Sequence, residues 1–198
     1  MSKIAGYKDE AYIRGKAPMT KREIRVLTIS LLGIEPGNVV VDIGAGTGGL
    51  TMEAAYAAAP GKVYAVEAKE MALELVQKNK EHFKADNVMI VPGKAPEVLA
   101  EIIEPVDRVI IGGSGGNMEG LFKWCKEKIR SGGRVVANFV TLENAAQATT
   151  LMNRYFENVE LIQVGISRGE GIGGLTMLKA SNPIFIITGD VVEKELQE

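Results

Sequence analysis

Short apolar segments alternate with helical segments along most of this 198-residue chain, and the alternation limits the folds available to it. Strands are predicted where β-branched or apolar residues cluster, at 39–41, 62–67, 88–91, 108–111 and 134–139. A strand, a helix and a second strand in succession form a parallel sheet with helices on both faces. The sequence therefore predicts an α/β domain, and this length is typical of one domain rather than two.

The ends of the helices are predicted from capping residues, glycine and proline. Thr20 and Glu23 have the spacing of a capping box, in which two side chains satisfy backbone N–H groups at the start of a helix. A turn is predicted at 131–133, directly before the fifth strand. The predicted helices are 20–32, 49–59, 70–83, 96–103, 118–129 and 142–156.

The last third of the chain lacks this alternation. Strands are predicted at 159–167 and 184–188 with no helix between them, so we expect the pair to form an antiparallel hairpin at the edge of the sheet. The predicted architecture is a mostly parallel seven-stranded sheet with an antiparallel last strand. We expect a single domain over residues 1–198, with a basic arm at 1–19 and an acidic tail at 190–198.

Charge and rare residues exclude several classes of protein. A net charge of −2 and a pI of about 5.7 argue against a dedicated nucleic-acid binder, although residues 1–25 alone carry +4. Cys125 and His82 are the single residues of their types, which excludes an internal disulfide and leaves no cluster typical of a metal site. Because the chain also lacks a signal-peptide pattern and a long apolar run, we expect a cytoplasmic protein.

Glycine is concentrated in three clusters, at 44–49, 112–116 and 165–174. The first lies at a strand-to-helix turn, where glycine permits a tight bend and a close approach of the backbone to a ligand. Asp42 ends the strand before it, which disfavours a pyrophosphate and favours a cofactor with an ammonium or sulfonium group. Glu67 ends the next strand, where a carboxylate accepts hydrogen bonds from ribose hydroxyls. These features predict a nucleoside cofactor with a cationic group.

The sequence Asp-Ile-Gly-Ala-Gly-Thr-Gly at 42–48 resembles the S-adenosyl-L-methionine-binding motif of class I methyltransferases, which have a Rossmann-like fold. In that class, a loop after the third strand contacts the adenine, and here it is residues 93–96. Lys94 stands where the class usually has an acid. The resemblance therefore implies a backbone contact from Ala95 rather than a side-chain contact from Lys94.

The other two clusters are interpreted as parts of a substrate site. Four glycines at 112–116 follow the fourth strand and leave the floor of the site open for a wide, flat substrate. The Asp/Asn-Pro-Pro-aromatic motif of many base methyltransferases is not found there, which argues against methylation of a base amino group. The cluster at 165–174 carries Arg168 and is interpreted as a lid that pairs with a substrate carboxylate.

Six segments together resemble one family, the decarboxylating cobalt-precorrin-6B methyltransferases of cobalamin biosynthesis. The likeness extends from about residue 7 to residue 189. It implies a polyanionic tetrapyrrole as substrate, methylation of carbon 15, loss of carbon dioxide from the acetate at carbon 12, and a homotetramer. The segments are 18–21, 112–116, 140–143, 167–169, 174–177 and 182–189.

The resemblance and the motifs together predict the residues of the site. We expect S-adenosyl-L-methionine as cofactor, no bound metal ion, and neither nucleic acid nor a membrane as partner. No catalytic residue is assigned. The predicted cofactor-binding residues are Thr20, Asp42, Gly44, Ala45, Gly46, Thr47, Gly48, Glu67 and Ala95. The substrate-side candidates are Asn117, Asn138, Glu143 and Arg168.

The lack of further histidines agrees with such a reaction, since an electron-rich carbon of the substrate supplies its own electrons to the methyl group. His82 is then expected at the surface and Cys125 in the core. Three alternatives remain: a methyltransferase for another anionic small molecule or RNA, an NAD-dependent oxidoreductase, and a cofactor-binding protein without catalysis. The oxidoreductase alternative depends on Gly44, Gly46 and Gly49, which also match the dinucleotide fingerprint.

Overall fold

A computed structural model of the chain describes residues 3–15, 18–113 and 115–192. Within these ranges five α-helices and nine β-strands form, with short 3-10 turns at Asp9–Ala11 and Glu97–Glu101. The helices are α1 (Arg22–Leu32), α2 (Gly49–Ala58), α3 (Glu70–Phe83), α4 (Met118–Lys128) and α5 (Leu142–Tyr155). The strands are β1 (Val39–Ile43), β2 (Lys62–Glu67), β3 (Val88–Pro92), β4 (Val106–Ile111), β5 (Ile129–Phe139), β6 (Glu157–Val164), β7 (Ser167–Ile172), β8 (Leu175–Ala180) and β9 (Ile184–Asp190).

Seven strands form one sheet in the order β3-β2-β1-β4-β5-β9-β6, and β7 pairs with β8 separately. Strands β1 to β5 run parallel, whereas β9 runs antiparallel to both of its neighbours. β1 lies at an interior position because all five of its residues are buried and need cover on both faces. The predicted mostly parallel seven-stranded sheet with an antiparallel last strand is confirmed.

The predicted antiparallel pairing of the strands at 159–167 and 184–188 at the edge of the sheet is confirmed, since β6 and β9 pair at one end of the strand order, with β9 next to β5 and β6 outermost. Ile186 and Ile187 of β9 are fully buried, in the cores on opposite faces of the sheet. β6, in contrast, consists of exposed and half-buried residues. The more apolar strand therefore occupies the interior position, and β6 forms the edge.

Two hydrophobic cores lie on opposite faces of the sheet. Helices α1, α2 and α3 cover one face around Ile29 and Leu32, and helices α4 and α5 cover the other around Phe122. The prediction of helices on both faces is thus confirmed. Cys125 is buried in the second core, where burial raises the pKa of its thiol, and His82 is exposed on α3, as the sequence predicts.

Helix α1 begins at Arg22 without the predicted capping box of Thr20 and Glu23. The Arg22 N–H donates instead to the Asp9 carboxylate at 3.0 Å, and Glu23 pairs with Arg168. A carboxylate from the N-terminal segment thus provides the cap, and a local sequence pattern does not reveal such a contact.

Two other predicted boundaries are wrong. The helix predicted at 96–103 is the 3-10 turn Glu97–Glu101, which fits the burial of Leu99 and Ile102 three residues apart. The turn predicted at 131–133 belongs to β5. There the Gly132 N–H donates to the Val191 carbonyl at 2.8 Å, so pairing with the chain after β9 extends the strand.

The third glycine cluster forms a regular β-hairpin rather than an irregular connection. Strands β7 and β8 pair along their whole length, and Gly173 and Gly174 at the turn have φ values of +58° and +82°. Every residue of both strands is exposed. Consecutive glycines with positive φ are typical of a two-residue hairpin turn.

Residues 3–15 of the predicted basic arm pack against the domain, and Tyr12 is buried there. Residues 1–2 and 16–17 of that arm, residue 114 of the second glycine cluster, and 193–198 of the predicted acidic tail lie outside the described residues. In the part of the chain that the structure describes, no helix has the length and apolar character needed to span a membrane.

Candidate active site

A cavity of about 570 Å³ opens at the carboxyl ends of β1, β2, β4 and β5. Ligands of open α/β sheets bind at this edge, where the strand order reverses, and here β1 lies between β2 and β4. Residues 18–21 before α1 form one further wall of the cavity, and residues from β6, β7 and the start of β9 form another.

The first glycine cluster forms the inner wall of this cavity. Gly44 and Gly46 have φ values of +78° and +58°, in the left-handed region that favours glycine. A Cβ on Gly44 would lie 3.2 Å from the backbone nitrogen of Gly113, and a Cβ on Gly112 would lie 3.1 Å from the Gly44 carbonyl oxygen. The first and second clusters therefore form one continuous backbone surface.

Glu67 fixes the shape of the glycine loop from the end of β2. Its Oε2 accepts the Gly46 N–H at 2.9 Å, and its Oε1 accepts the Ala68 and Lys69 N–H groups at 2.9 Å each. The carboxylate also lines the cavity, and its two oxygens offer about four acceptor sites. Glu67 therefore organises the loop and keeps about one acceptor site free towards the cavity.

Asp42 is a buried charge next to the glycine loop. It is 1% exposed, and its Oδ2 accepts a hydrogen bond from the Thr51 hydroxyl at 2.6 Å. Burial raises the pKa of Asp42 to about 6, the charge of Glu67 adds to the increase, and the Thr51 hydrogen bond opposes it. Above that pH, a cationic ligand group in the cavity would stabilise the ionised carboxylate.

Of the predicted cofactor-binding residues, all but Gly48 line the cavity. Gly48 precedes α2, and a Cβ there would lie 3.5 Å from the Val76 backbone, so this glycine serves the packing of α2 on α3 rather than the cavity wall. Lys94 lines the cavity, and its Cε lies 3.4 Å from the place of a Cβ on Gly115 in the second cluster. The predicted residues that do line the cavity are Thr20, Asp42, Gly44, Ala45, Gly46, Thr47, Glu67 and Ala95.

The end of the cavity next to the hairpin carries a cation among apolar and polar residues. Arg168 on β7 lines it and pairs with Glu23 of α1. Asn138 at the end of β5 also lines it, donates from Nδ2 to the Thr28 hydroxyl at 3.0 Å, and has no described partner for Oδ1. Two of the four substrate-side candidates are thus at the cavity.

Asn117 and Glu143 do not line the described cavity. The Asn117 side chain is the cap of α4, where its Oδ1 accepts the Gly120 N–H at 3.0 Å, and Glu143 is exposed in the first turn of α5. Sequence reasoning placed both after strands that end at the site, but it did not give the direction of their side chains. It also missed Met19, Lys69 and Ser181, which line the cavity beside motifs that were identified.

Comparisons with known proteins agree with this geometry. A family model for the precorrin methyltransferase domain matches residues 10–189. The Sulfurisphaera tokodaii protein named "Probable cobalt-precorrin-6B C(15)-methyltransferase (decarboxylating)" is 38% identical over 190 residues, covering 95% of this chain and 98% of the relative. The Salmonella typhi cobalt-precorrin-6B C(15)-methyltransferase (decarboxylating) is 33% identical over 193 residues, covering 96% and 99%.

Solved structures give the same relationship. The precorrin-6y C5,15-methyltransferase of Geobacter metallireducens GS-15 has a TM-score of 0.87 at 32% identity, covering 93% of this chain and 97% of that one. An O-methyltransferase from Bacillus cereus in complex with SAH has a TM-score of 0.65 at 18% identity, covering 89% and 84%, and is similar in fold alone.

The sheet order, the glycine loop after β1 and the acid at the end of β2 define a class I, Rossmann-like methyltransferase. Within that class, the chain belongs to the precorrin methyltransferase family.

Proposed function

We propose that this chain transfers a methyl group from S-adenosyl-L-methionine to carbon 15 of cobalt-precorrin-6B and removes carbon dioxide from the acetate at carbon 12, giving cobalt-precorrin-7. One observation carries the proposal: a single cavity joins an acidic end, with Asp42 and Glu67, to an end next to the hairpin, where Arg168 lies paired with Glu23. The acidic end suits a cationic nucleoside, and the Arg168 guanidinium suits a carboxylate of a polyanionic substrate. The names of the Sulfurisphaera and Salmonella relatives describe the same reaction.

The residues of the acidic end fit the cofactor group by group. Glu67 offers its remaining acceptor site to a ribose hydroxyl, and ionised Asp42 offers a negative charge to the ammonium of the methionine part. Ala95 offers its backbone and a small side chain to the adenine. The cofactor supplies the methyl group, and these residues hold and orient it.

The part of the cavity lining that the structure describes offers carboxylates but no imidazole, thiol or phenol. In the proposed reaction, an electron-rich bridging carbon would form its bond to the methyl group as the carbon–sulfur bond breaks and S-adenosylhomocysteine leaves. The ring, left with a positive charge, would accept the electron pair of the bond to the carboxylate as carbon dioxide leaves, and a proton shift in the product would complete the methyl group at carbon 12. The contribution of the protein is alignment, worth roughly 7–11 kcal/mol for two well-placed reactants. The glycines at 112, 113 and 115 leave space for a flat ring.

The proposal is tested by incubating the protein with cobalt-precorrin-6B and S-adenosyl-L-methionine and measuring the mass of the product. One methyl group gained and one carbon dioxide lost are expected. A methyl gain alone would contradict the decarboxylation. An unchanged substrate, together with calorimetric binding of NAD but not of S-adenosylhomocysteine, would favour the oxidoreductase alternative.

Binding of S-adenosylhomocysteine is expected to weaken as the pH falls below about 6, the pKa of Asp42. The ammonium of the ligand is attracted by the ionised carboxylate and not by the protonated one, so the dissociation constant rises by up to about tenfold per pH unit below the pKa. A calorimetric pH series measures the effect, and Asp42→Asn is the control that lacks the titrating group. An equal pH dependence in both proteins would show that Asp42 does not face the ammonium.

The free energy of unfolding of the ligand-free protein also depends on the Asp42 carboxyl, but here a lower pH is favourable. Burial raises the pKa of Asp42 from 3.8, so the folded state favours the protonated form. This contribution to stability is fully present below pH 3.8 and is lost as the pH rises through about 6.

We further propose that the chain forms a homotetramer in the cytoplasm and acts without nucleic acid or membrane. The β7–β8 hairpin supports the assembly, because Ile172, Leu175, Met177 and Leu178 on it are 56–75% exposed. An isolated hairpin is at best marginally stable in water, and exposed apolar patches mark protein interfaces. The buried thiol of Cys125 and the acidic pI of about 5.7 support the other parts of the proposal.

Replacing Leu175 and Leu178 together by aspartate is expected to convert the tetramer into smaller species, because charges would be buried in the interface. Light scattering after size-exclusion chromatography measures the mass. Ile103→Asp is the matched control, since Ile103 is 86% exposed and lies outside the hairpin. A double variant that stays tetrameric would exclude the hairpin as the interface. If the unaltered chain has the mass of a monomer, the proposed assembly is wrong.

A further inference from the structure

Arg25 on α1 is a fully buried charge that the proposed reaction does not use. Its side chain has no exposed surface. It donates to the Asp9 carboxylate at 2.7 Å and to the carbonyls of Tyr7 and Thr20 at 2.6 and 2.7 Å. It also donates to the Glu53 carboxylate at 3.4 Å. Because a guanidinium is planar and rigid, these contacts fix the positions of the four partners relative to one another.

Glu53 on α2 is the counter-charge of Arg25 and is equally buried. Its carboxylate also accepts the N–H groups of Gly6 at 2.9 Å and Tyr7 at 3.0 Å. One buried ion pair thus ties the N-terminal segment to both α1 and α2. Stability alone does not require such a pair, since apolar residues that fill the same volume are often as stabilising.

Arg25 reaches the cofactor end of the cavity through two neighbours. Thr20, whose carbonyl it binds, belongs to the wall segment 18–21. Gly49 at the start of α2 is the second, because a Cβ there would lie 3.3 Å from Arg25 Cδ and 3.3 Å from Met19 Cγ. The last glycine of the first cluster therefore makes room for Arg25 and Met19 to pack against the start of α2.

We infer that Arg25 is a positioning residue for the cofactor. Through its hydrogen bond to the Thr20 carbonyl, Arg25 keeps the wall segment 18–21 next to the glycine loop. The inference rests on the proposed use of S-adenosyl-L-methionine. It gives the N-terminal segment a function in the site, because the Tyr7 carbonyl and the Asp9 carboxylate accept hydrogen bonds from the same guanidinium that binds Thr20 of the wall segment.

The test is Arg25→Lys, which retains a positive charge near Glu53 but loses the planar donors that reach Thr20 and Tyr7. The dissociation constant of S-adenosylhomocysteine, measured by calorimetry, is expected to rise about tenfold. Hydrogen exchange of the amides at 19–21 is expected to accelerate in the ligand-free protein. A purely structural role would lower the melting temperature without a specific effect on either quantity.

Arg134→Lys is the control for a structural effect, because Arg134 on β5, although partly exposed, also joins separate segments of the chain by side-chain hydrogen bonds and does not line the described cavity. It pairs with Asp190 at 2.6 and 3.1 Å and donates to the Leu31 carbonyl at 2.9 Å. This variant is expected to lower the melting temperature while its dissociation constant stays within about twofold of the unaltered value.

An Arg25→Lys protein with the affinity and the exchange rates of the unaltered chain would overturn the inference. If the unaltered chain does not bind S-adenosylhomocysteine, the proposed function fails, and the exchange at 19–21 still decides the role of Arg25. If Arg25→Lys does not fold, Asp9→Asn weakens one contact of the guanidinium and is expected to raise the dissociation constant about threefold. No rise in that variant would overturn the inference.

Discussion

Glu67→Ala is expected to raise the dissociation constant of S-adenosylhomocysteine by roughly 5- to 150-fold, which corresponds to about 1–3 kcal/mol. The variant loses the acceptor for the ribose hydroxyls. It also leaves the N–H groups of Gly46, Ala68 and Lys69 without their partner, so the glycine loop loses the contact that fixes its shape. Isothermal titration calorimetry measures the change.

Two further variants separate these effects. Glu67→Gln retains one carbonyl acceptor, so its dissociation constant is expected to lie between those of the unaltered protein and Glu67→Ala. Glu70→Ala removes an exposed carboxylate three residues further along the chain and is expected to leave the affinity unchanged. An unchanged affinity in Glu67→Ala would show that the ribose is held elsewhere.

Gly44→Ala is expected to destabilise the fold by about 2–4 kcal/mol, through the cost of a left-handed backbone and the cost of overpacking. Gly44 has a φ of +78°, and its Cβ would lie 3.2 Å from the Gly113 backbone nitrogen. Backbone cannot move aside as the end of a flexible side chain can, so the two glycine clusters must separate. The affinity for S-adenosylhomocysteine is therefore expected to fall as well. Urea denaturation and calorimetry measure the two effects.

Gly33→Ala is the matched control for this variant. Gly33 has a φ of +65°, and nothing lies within 4 Å of the place of its Cβ. It therefore has the backbone cost of about 1–2 kcal/mol without the contact. If the two variants are equally destabilised and Gly44→Ala keeps its ligand affinity, then neither stability nor binding depends on the close approach of the two glycine clusters.

The regular part of the fold could be predicted because apolar periodicity and glycine or proline boundaries act locally. Strand β2 and helix α3 have the bounds that the sequence predicts, Lys62–Glu67 and Glu70–Phe83. The position of Asp42, Glu67 and the glycine loop at one end of the cavity was predictable for a similar reason, since both acids end neighbouring parallel strands and the loop lies between those strands and the helices.

The remaining features depend on contacts between distant segments, which no local pattern reveals. Asp9 caps α1 from thirteen residues away, and Arg25 is buried because Glu53 on another helix neutralises it. The β7–β8 hairpin is exposed throughout, so it lacks the alternation of apolar and polar residues that marks a half-buried strand. Asn117 follows a strand that ends at the site, but its side chain caps α4.

In the proposed reaction, one cavity supports both methyl transfer and decarboxylation. The most direct test is to measure S-adenosylhomocysteine and carbon dioxide together, with cobalt-precorrin-6B that is isotopically labelled in the carboxyl carbon of the acetate at carbon 12. The proposed reaction yields one labelled carbon dioxide for each S-adenosylhomocysteine formed. S-adenosylhomocysteine without labelled carbon dioxide, or neither product, would contradict it.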